Sequence, residues 1–287
     1  MTTVSDETTG RGLHMAGAKV TGRAAQSAAP TLEWERGLAA DCDYVLGIDE
    51  VGRGCLAGPV ALGVAAVSAK RLAAGEDAVE GVRDSKKLTP RRREILLPQL
   101  QQWCDAWAVG WASNDEIDQW GISHCLGLAA LRGIAAVQRI LCGDARMPVP
   151  GLGQSECVVC GARPRRGASD AGNAGGAAEP VVRFRAILDG PSDYITPALA
   201  TIDSPGLLAP CSVSTRVKAD MTCALVSTAS VIAKVTRDHF MERLAQCNPQ
   251  WAAYDWAENK GYGTAAHREA IARLGATPYH RRTWHLV

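Results

Sequence analysis

Two acidic residues, Asp49 and Glu50, stand side by side where a short apolar segment ends. The apolar, β-branched character of that segment is typical of a buried strand. Adjacent carboxylates repel each other, so a partly buried pair favours a compensating cation. Gly52 and Gly54 let the backbone approach a ligand closely, and Arg53 between them carries a fixed positive charge. The pattern indicates either a metal-dependent site acting on a phosphate or a strand that ends in an acidic, glycine-rich turn.

Three further segments place polar groups at the edges of predicted elements. The alternating run at 183–188 predicts a strand that ends on Asp189, with a turn glycine behind it. Asp220 precedes a helix predicted from about 223 to 246, where capping the helix is the alternative role. Tyr262 lies in a glycine turn before another predicted helix, where packing on the surface is the alternative.

Several short motifs follow one another in a fixed order. They are residues 47–54 (GIDEVGRG), 56–60 (LAGPV), 84–88 (DSKKL), 187–190 (ILDG), 217–220 (VKAD), 229–238 (ASVIAKVTRD), 260–264 (KGYGT) with His267, and 277–282 (TPYHRR). In this order the set resembles bacterial ribonuclease HII, from about Tyr44 to Trp284 outside one insert. Ala219 departs from the pattern, since glycine is commoner there, and Cys55 stands where small residues or proline are usual.

The resemblance implies a fold and a catalytic set. The fold would be α/β and ribonuclease H-like, a mixed central sheet flanked by helices with a helical C-terminal portion. Asp49, Glu50, Asp189 and Asp220 would be the catalytic carboxylates and would bind Mg²⁺ or Mn²⁺, which prefer oxygen ligands. Two such ions about 4 Å apart serve both ends of an in-line displacement at a phosphodiester. Spacing along the chain does not bring these acids together; only the resemblance implies that they converge.

The resemblance also implies a substrate. Gly52, Arg53 and Gly54 would read the ribonucleotide at an RNA–DNA junction through its 2′-hydroxyl, the group that distinguishes RNA from DNA. Tyr262 would stack on the deoxyribose that follows. The implied partners are RNA–DNA hybrid and DNA duplex containing ribonucleotides, cut on the 5′ side of the ribonucleotide by a monomeric enzyme. The alternatives are a ribonuclease HIII-like enzyme, which needs a folded N-terminal domain, and a non-catalytic hybrid-binding protein.

Composition is consistent with a large core but identifies no partner. The chain has 287 residues, 47% of them apolar, and a formal net charge of +1, which excludes a uniformly basic nucleic-acid binder. Positive charge is concentrated at 83–94, with six Lys or Arg against two acids, and at 260–287, with five against one. Either cluster could hold phosphate backbones or form a solvated face. No signal-peptide core or apolar run near the roughly 20 residues of a membrane span is evident, so we expect a cytoplasmic protein without a membrane partner.

The chain divides into a core and segments of different composition. Residues 1–30 are rich in small residues, and we expect them to be disordered. Residues 31–230 would form the catalytic core, with a flexible insert at about 143–180, and residues 231–287 the helical C-terminal portion that completes the substrate surface. Within the insert, Cys157 and Cys160 have the spacing of half a zinc site, but the insert supplies no second pair, so free thiols are the preferred interpretation.

Overall fold

Six strands form one mixed sheet in the part of the chain that the structure describes. The computed structural model describes residues 29–143, 158–163 and 181–287. The strands are β1 (Tyr44–Val51), β2 (Val60–Ser68), β3 (Ala106–Ala112), β4 (Val158–Ala162), β5 (Phe184–Asp189) and β6 (Cys211–Arg216). Their spatial order is β4-β3-β2-β1-β5-β6, with parallel pairing from β1 to β5 and from β5 to β6 and antiparallel pairing elsewhere. The carboxyl ends of β1 and β5 therefore lie side by side.

Helices cover both faces of this sheet. In the described ranges they are α1 (Glu33–Leu38), α2 (Ala69–Ala73), α3 (Pro90–Trp103), α4 (Asn114–Trp120), α5 (Ile122–Cys142), α6 (Ile195–Leu199), α7 (Ala219–Thr222), α8 (Ala224–Cys247), α9 (Trp256–Asn259) and α10 (Ala265–Leu274). Short 3-10 helices occur at Ala39–Asp41, Ser85–Lys87 and Pro249–Tyr254. This arrangement confirms the predicted α/β class, with a mixed central sheet and a helical C-terminal portion.

The long helix α8 packs closely on one face of the sheet because two strand glycines lack side chains. A Cβ at Gly47 would lie 2.4 Å from the carbonyl carbon of Leu225, and one at Gly63 would lie 2.3 Å from the carbonyl oxygen of Ala229. Both distances are far below van der Waals contact, so a larger residue would push α8 off the sheet. This close packing holds the first turns of α8 near the carboxyl end of β1.

On the opposite face lies α5, which is long and apolar enough, by length and composition, to cross a membrane. No apolar run of that length was expected from the sequence, so α5 corrects that expectation. Most of the helix is buried inside the protein, where Leu126, Ala130 and Ile134 join a core cluster with β2 and β3. Its apolar character is therefore accounted for by packing on the sheet.

The C-terminal helices build a third core cluster beyond the end of β1. It contains Leu56 and Ala57, which follow β1, together with Met241 of α8, Trp256 of α9 and Ile271 of α10. The cluster joins the C-terminal portion to the chain segment directly after the acidic pair. Residues 200 positions apart in the sequence are therefore neighbours here.

The predicted insert contains a strand. Residues 158–162 form β4, which pairs with the sheet edge at β3 and places Cys160 opposite Ala108. The rest of the insert and residues 1–28 lie outside the described residues, as does Cys157. The disordered tail, the flexible insert and the domain boundaries stay predictions.

Candidate active site

Two of the four predicted acids leave the sheet at the same edge. In the parallel pair, Ile48 of β1 lies opposite Leu188 of β5, so Asp49 and Asp189 follow at equivalent positions. Carboxyl ends of parallel strands are the edge where open α/β sheets bind ligands. The side chain of Asp49 is buried, with 5% of the residue exposed, whereas Asp189 is half-buried.

Asp220 reaches this edge from the short helix α7. Its backbone N–H donates to Oδ1 of Asp189 at 3.3 Å, and its carbonyl accepts from the Ser227 hydroxyl at 2.6 Å. The turn before it is made by Lys218, whose φ of 59° lies in the left-handed region. Ala219 itself has no positive φ, so the methyl group at this departure from the family pattern introduces no backbone strain.

Burial and mutual repulsion both raise the pKa values of two of the acids. Burial raises the pKa of Asp49 to about 8, the hydrogen bond from Ser230 opposes this, and the charges of Glu50, Asp189 and Asp220 raise it further. Burial and the charge of Asp189 likewise raise the pKa of Asp220 to about 6. The surroundings therefore do not compensate full ionisation of these carboxyls, and Asp49 keeps its proton at neutral pH in the absence of a cation.

One lysine approaches the acids from the 3-10 helix before α3. Nζ of Lys86 lies 3.9 Å from Oδ2 of Asp220, and 77% of its side chain is exposed. Burial lowers the pKa of Lys86, but the charges of Asp49, Asp220 and other acids together raise it more. Lys86 belongs to the motif at residues 84–88, which by itself predicted no role for it.

Glu50 faces away from Asp49 because successive strand residues point to opposite faces. Its Oε2 accepts a hydrogen bond from the Tyr194 hydroxyl at 3.2 Å, and Nη1 of Arg53 lies 3.4 Å from its Oε1. Burial and the charge of Glu50 hold the pKa of Tyr194 well above its usual value, so the hydroxyl remains a donor. Tyr194 was missed in the sequence because it lies in an irregular segment after β5 without any motif.

The four acids share one edge without forming a ready-made ligand shell. Across residues 29–143, 158–163 and 181–287, no three His, Cys, Asp or Glu side chains are grouped closely enough to hold a metal ion. One reason for this is that the side chains of Asp49 and Glu50 point to opposite faces of the sheet. The donor set nevertheless fits a hard divalent cation, because all donors are carboxylate oxygens and their crowding leaves negative charge uncompensated.

The predicted substrate-reading residues meet beside the acids. Gly52, Arg53, Gly54 and Cys55 form a tight turn, in which the Cys55 N–H donates to the Gly52 carbonyl at 3.2 Å. Cys55 forms a β-bridge with Tyr262, whose residue surface is 39% exposed. We call Gly52, Arg53, Gly54 and Cys55 the reading turn. The structure thus brings together the two segments that the resemblance assigned to substrate recognition.

This sheet, with its acidic edge and flanking helices, defines a ribonuclease H-like enzyme. The solved ribonuclease H2 from Pyrococcus horikoshii OT3 has a similar structure, with a TM-score of 0.53 and 25% identity over 85% of this chain and 94% of that chain. A solved Bst-RNase HIII in complex with Mn²⁺ shares the fold, with a TM-score of 0.54 and 20% identity over 86% of this chain and 70% of that chain.

Sequence comparison then gives the family. A family model described as ribonuclease HII matches residues 46–142 and 202–287. The ribonuclease HII of Streptomyces avermitilis is 34% identical over 257 residues, which cover 89% of this chain and 83% of that protein. The chain belongs to the ribonuclease HII family and is a ribonuclease H of type 2, as the order of its motifs predicted.

Proposed function

We propose that this enzyme hydrolyses the RNA strand of RNA–DNA hybrids and also cuts duplex DNA on the 5′ side of embedded ribonucleotides. The products carry 3′-hydroxyl and 5′-phosphate ends, and the second activity initiates removal of misincorporated ribonucleotides. The observation that carries the proposal is the reading turn bonded to the Tyr262 segment directly beside the four acids. Family membership supports the activity on hybrids, and this juxtaposition supports recognition of a junction.

The acids act as the metal-binding set in this proposal. Asp49, Glu50, Asp189 and Asp220 would hold two divalent cations, Mg²⁺ or Mn²⁺, and the Mn²⁺ in the solved Bst-RNase HIII supports that chemistry. When bound, the ions supply Lewis-acid stabilisation of the attacking and leaving oxygens. Tyr194 fixes one oxygen of Glu50, and Ser230 fixes Asp49, so that both carboxylates are restrained before substrate arrives.

The reading turn and Tyr262 determine the substrate in this proposal. Backbone amides of Arg53 and Gly54 bond the ribose 2′-hydroxyl, while the ring of Tyr262 packs on the bare face of the next deoxyribose. A site built to hydrogen-bond a hydroxyl rejects the analogue that lacks it by roughly 10⁴-fold or more. All-DNA duplex should therefore stay uncut.

The test is cleavage of three labelled substrates: a duplex with one embedded ribonucleotide, an RNA–DNA hybrid, and an all-DNA duplex. Each is incubated with Mg²⁺, Mn²⁺ or excess chelator. We expect metal-dependent cutting of the first two and none of the third. A protein that binds hybrid tightly but cuts nothing in either metal would instead be the non-catalytic alternative.

A further inference from the structure

Two fully buried arginines lie beneath the reading turn. Arg237 of α8 and Arg281 near the C-terminus each expose 0% of their surface. Within the described residues neither forms an ion pair, and their hydrogen bonds there all go to backbone carbonyls. Burying a guanidinium without a carboxylate partner costs free energy. Two such groups beneath one turn therefore indicate a role at this site.

Arg281 holds the carbonyls of the reading turn. Its Nη2 donates to the Gly52 carbonyl at 2.7 Å and its Nη1 to the Arg53 carbonyl at 2.8 Å. Nε donates to the Gly58 carbonyl at 3.2 Å. A planar guanidinium with fixed donors can satisfy three carbonyls at once, which the single ammonium of a lysine cannot match in geometry.

Arg237 ties the same region to the Tyr262 segment. Its Nη1 donates to the carbonyl of Lys260 at 2.9 Å, and its Nε donates to that of Pro59 at 2.9 Å. Gly52 has a φ of +82°, and a Cβ there would lie 2.2 Å from Nε of Arg237. The Leu56 N–H also donates to the Gly261 carbonyl at 2.8 Å. The reading turn and the residue before Tyr262 therefore share one support.

The bonds from Arg281 to the carbonyls of the reading turn also determine where the N–H groups of the turn point. In a trans peptide the C=O and N–H point in opposite directions, and the described residues contain no cis peptide. Because the carbonyls of Gly52 and Arg53 point inward to Arg281, the N–H groups of Arg53 and Gly54 point outward. Both residues are exposed, and in the described part of the chain neither amide donates a hydrogen bond.

We infer that Arg281 is a specificity-determining positioning residue. It orients the amides of Arg53 and Gly54 as donors toward the ribonucleotide, while Arg237 fixes the spacing between that turn and Tyr262. Arg281 acts through the turn and does not itself touch substrate. This inference rests on the proposed function, because it names what positions the same reading site.

The test compares Arg281→Lys and Arg281→Met with two control variants. Ile271→Ala removes apolar volume from the third core cluster, which contains Leu56 and Ala57 directly after the reading turn, but Ile271 is not part of the turn. Arg273→Met removes an exposed charge from α10. For each protein, kcat and KM are measured on the single-ribonucleotide duplex and on the hybrid, with the melting temperature. Amide hydrogen exchange of residues 51–57 is measured without substrate.

We expect both Arg281 variants to lose at least tenfold in kcat/KM on the single-ribonucleotide duplex, mainly through kcat, and less on the hybrid. Exchange of the hydrogen-bonded amides of Cys55, Leu56 and Ala57 should accelerate by tenfold or more. Ile271→Ala should lower the melting temperature yet keep the substrate ratio and the exchange of the turn. If the Arg281 variants only behave like Ile271→Ala, Arg281 is structural and the inference is wrong.

Two further outcomes separate the inference from the proposed function. If the wild type cuts no substrate, the proposed function fails, and the exchange measurement still decides whether Arg281 orders the turn. If both Arg281 variants fail to fold, Arg281→Gln, which is polar but lacks the guanidinium fork that bonds the Gly52 and Arg53 carbonyls, is measured in the same way. An Arg281→Gln protein with wild-type substrate ratio and exchange overturns the inference.

Discussion

The buried carboxyl of Glu35 in α1 should make the stability of this protein depend on pH near neutrality. Its Oε1 accepts the N–H of Leu225 in the first turn of α8 at 2.8 Å, and its Oε2 has no hydrogen-bond partner among the described residues. Burial raises its pKa from 4.5 to about 7, against the lowering effect of that backbone bond. Glu35 is therefore largely protonated in the folded protein at slightly acidic pH.

The sign and size of this pH dependence follow from the linkage between proton binding and folding. Because the folded pKa lies above the unfolded one, the contribution of Glu35 is fully present below pH 4.5 and is lost as the pH rises through about 7. Between pH 5.5 and pH 8 this loss amounts to about 2 kcal/mol of unfolding free energy. Asp49, His267 and His280 also titrate with shifted pKa values, so the wild-type profile alone does not isolate Glu35.

The perturbation is Glu35→Gln, which resembles the protonated carboxyl at every pH. The unfolding free energies of wild type and variant are measured by urea denaturation at pH 5.5 and pH 8, with chelator present. The stability of the variant relative to wild type should rise by about 2 kcal/mol from pH 5.5 to pH 8. A difference that stays constant with pH would refute the raised pKa of Glu35.

Three other predictions concern the site and its support. Asp49→Asn should abolish cleavage at saturating Mg²⁺ but leave hybrid binding measurable in a gel-shift assay, because an amide keeps the shape and loses the charge; near-wild-type turnover would falsify the metal-binding role. Tyr262→Ala should lower the cleavage rate on a single embedded ribonucleotide more than on a long hybrid, and an unchanged ratio of the two rates would make Tyr262 a packing residue. Gly47→Ala should cost about 1–3 kcal/mol in urea denaturation, because its Cβ would meet the backbone of Leu225; Gly37→Ala, where a Cβ meets no atom of the described residues within 4 Å, is the matched control and should not destabilise.

Local patterns predicted the elements that carry the acids. An apolar run that ends on an acidic residue marked β1 and β5. These signals are contained in a few consecutive residues, so they survive without tertiary information. The order of the motifs then indicated which acids belong together.

Contacts across long sequence distances were not predictable in this way. Tyr194 meets Glu50 across 144 positions, and Arg281 meets Gly52 across 229. Neither pairing leaves a local pattern, since a tyrosine in a loop and an arginine near a chain end have many possible surroundings. The strand β4 was missed because its pairing with β3, and not its own composition, makes it a strand.

Helix α8 has a consequence for the distance between the acids and the reading turn. Ser227 bonds the backbone of Asp220, Ser230 bonds Asp49, and Arg237 packs against Gly52 and bonds the Lys260 carbonyl. These three residues project from one continuous helix, and the seven residue steps from Ser230 to Arg237 rise about 10.5 Å. The offset between the proposed hydrolytic centre and the proposed sugar-reading amides is thus set by the geometry of a single helix, and one residue inserted between Ser230 and Arg237 would rotate the two supports about 100° apart.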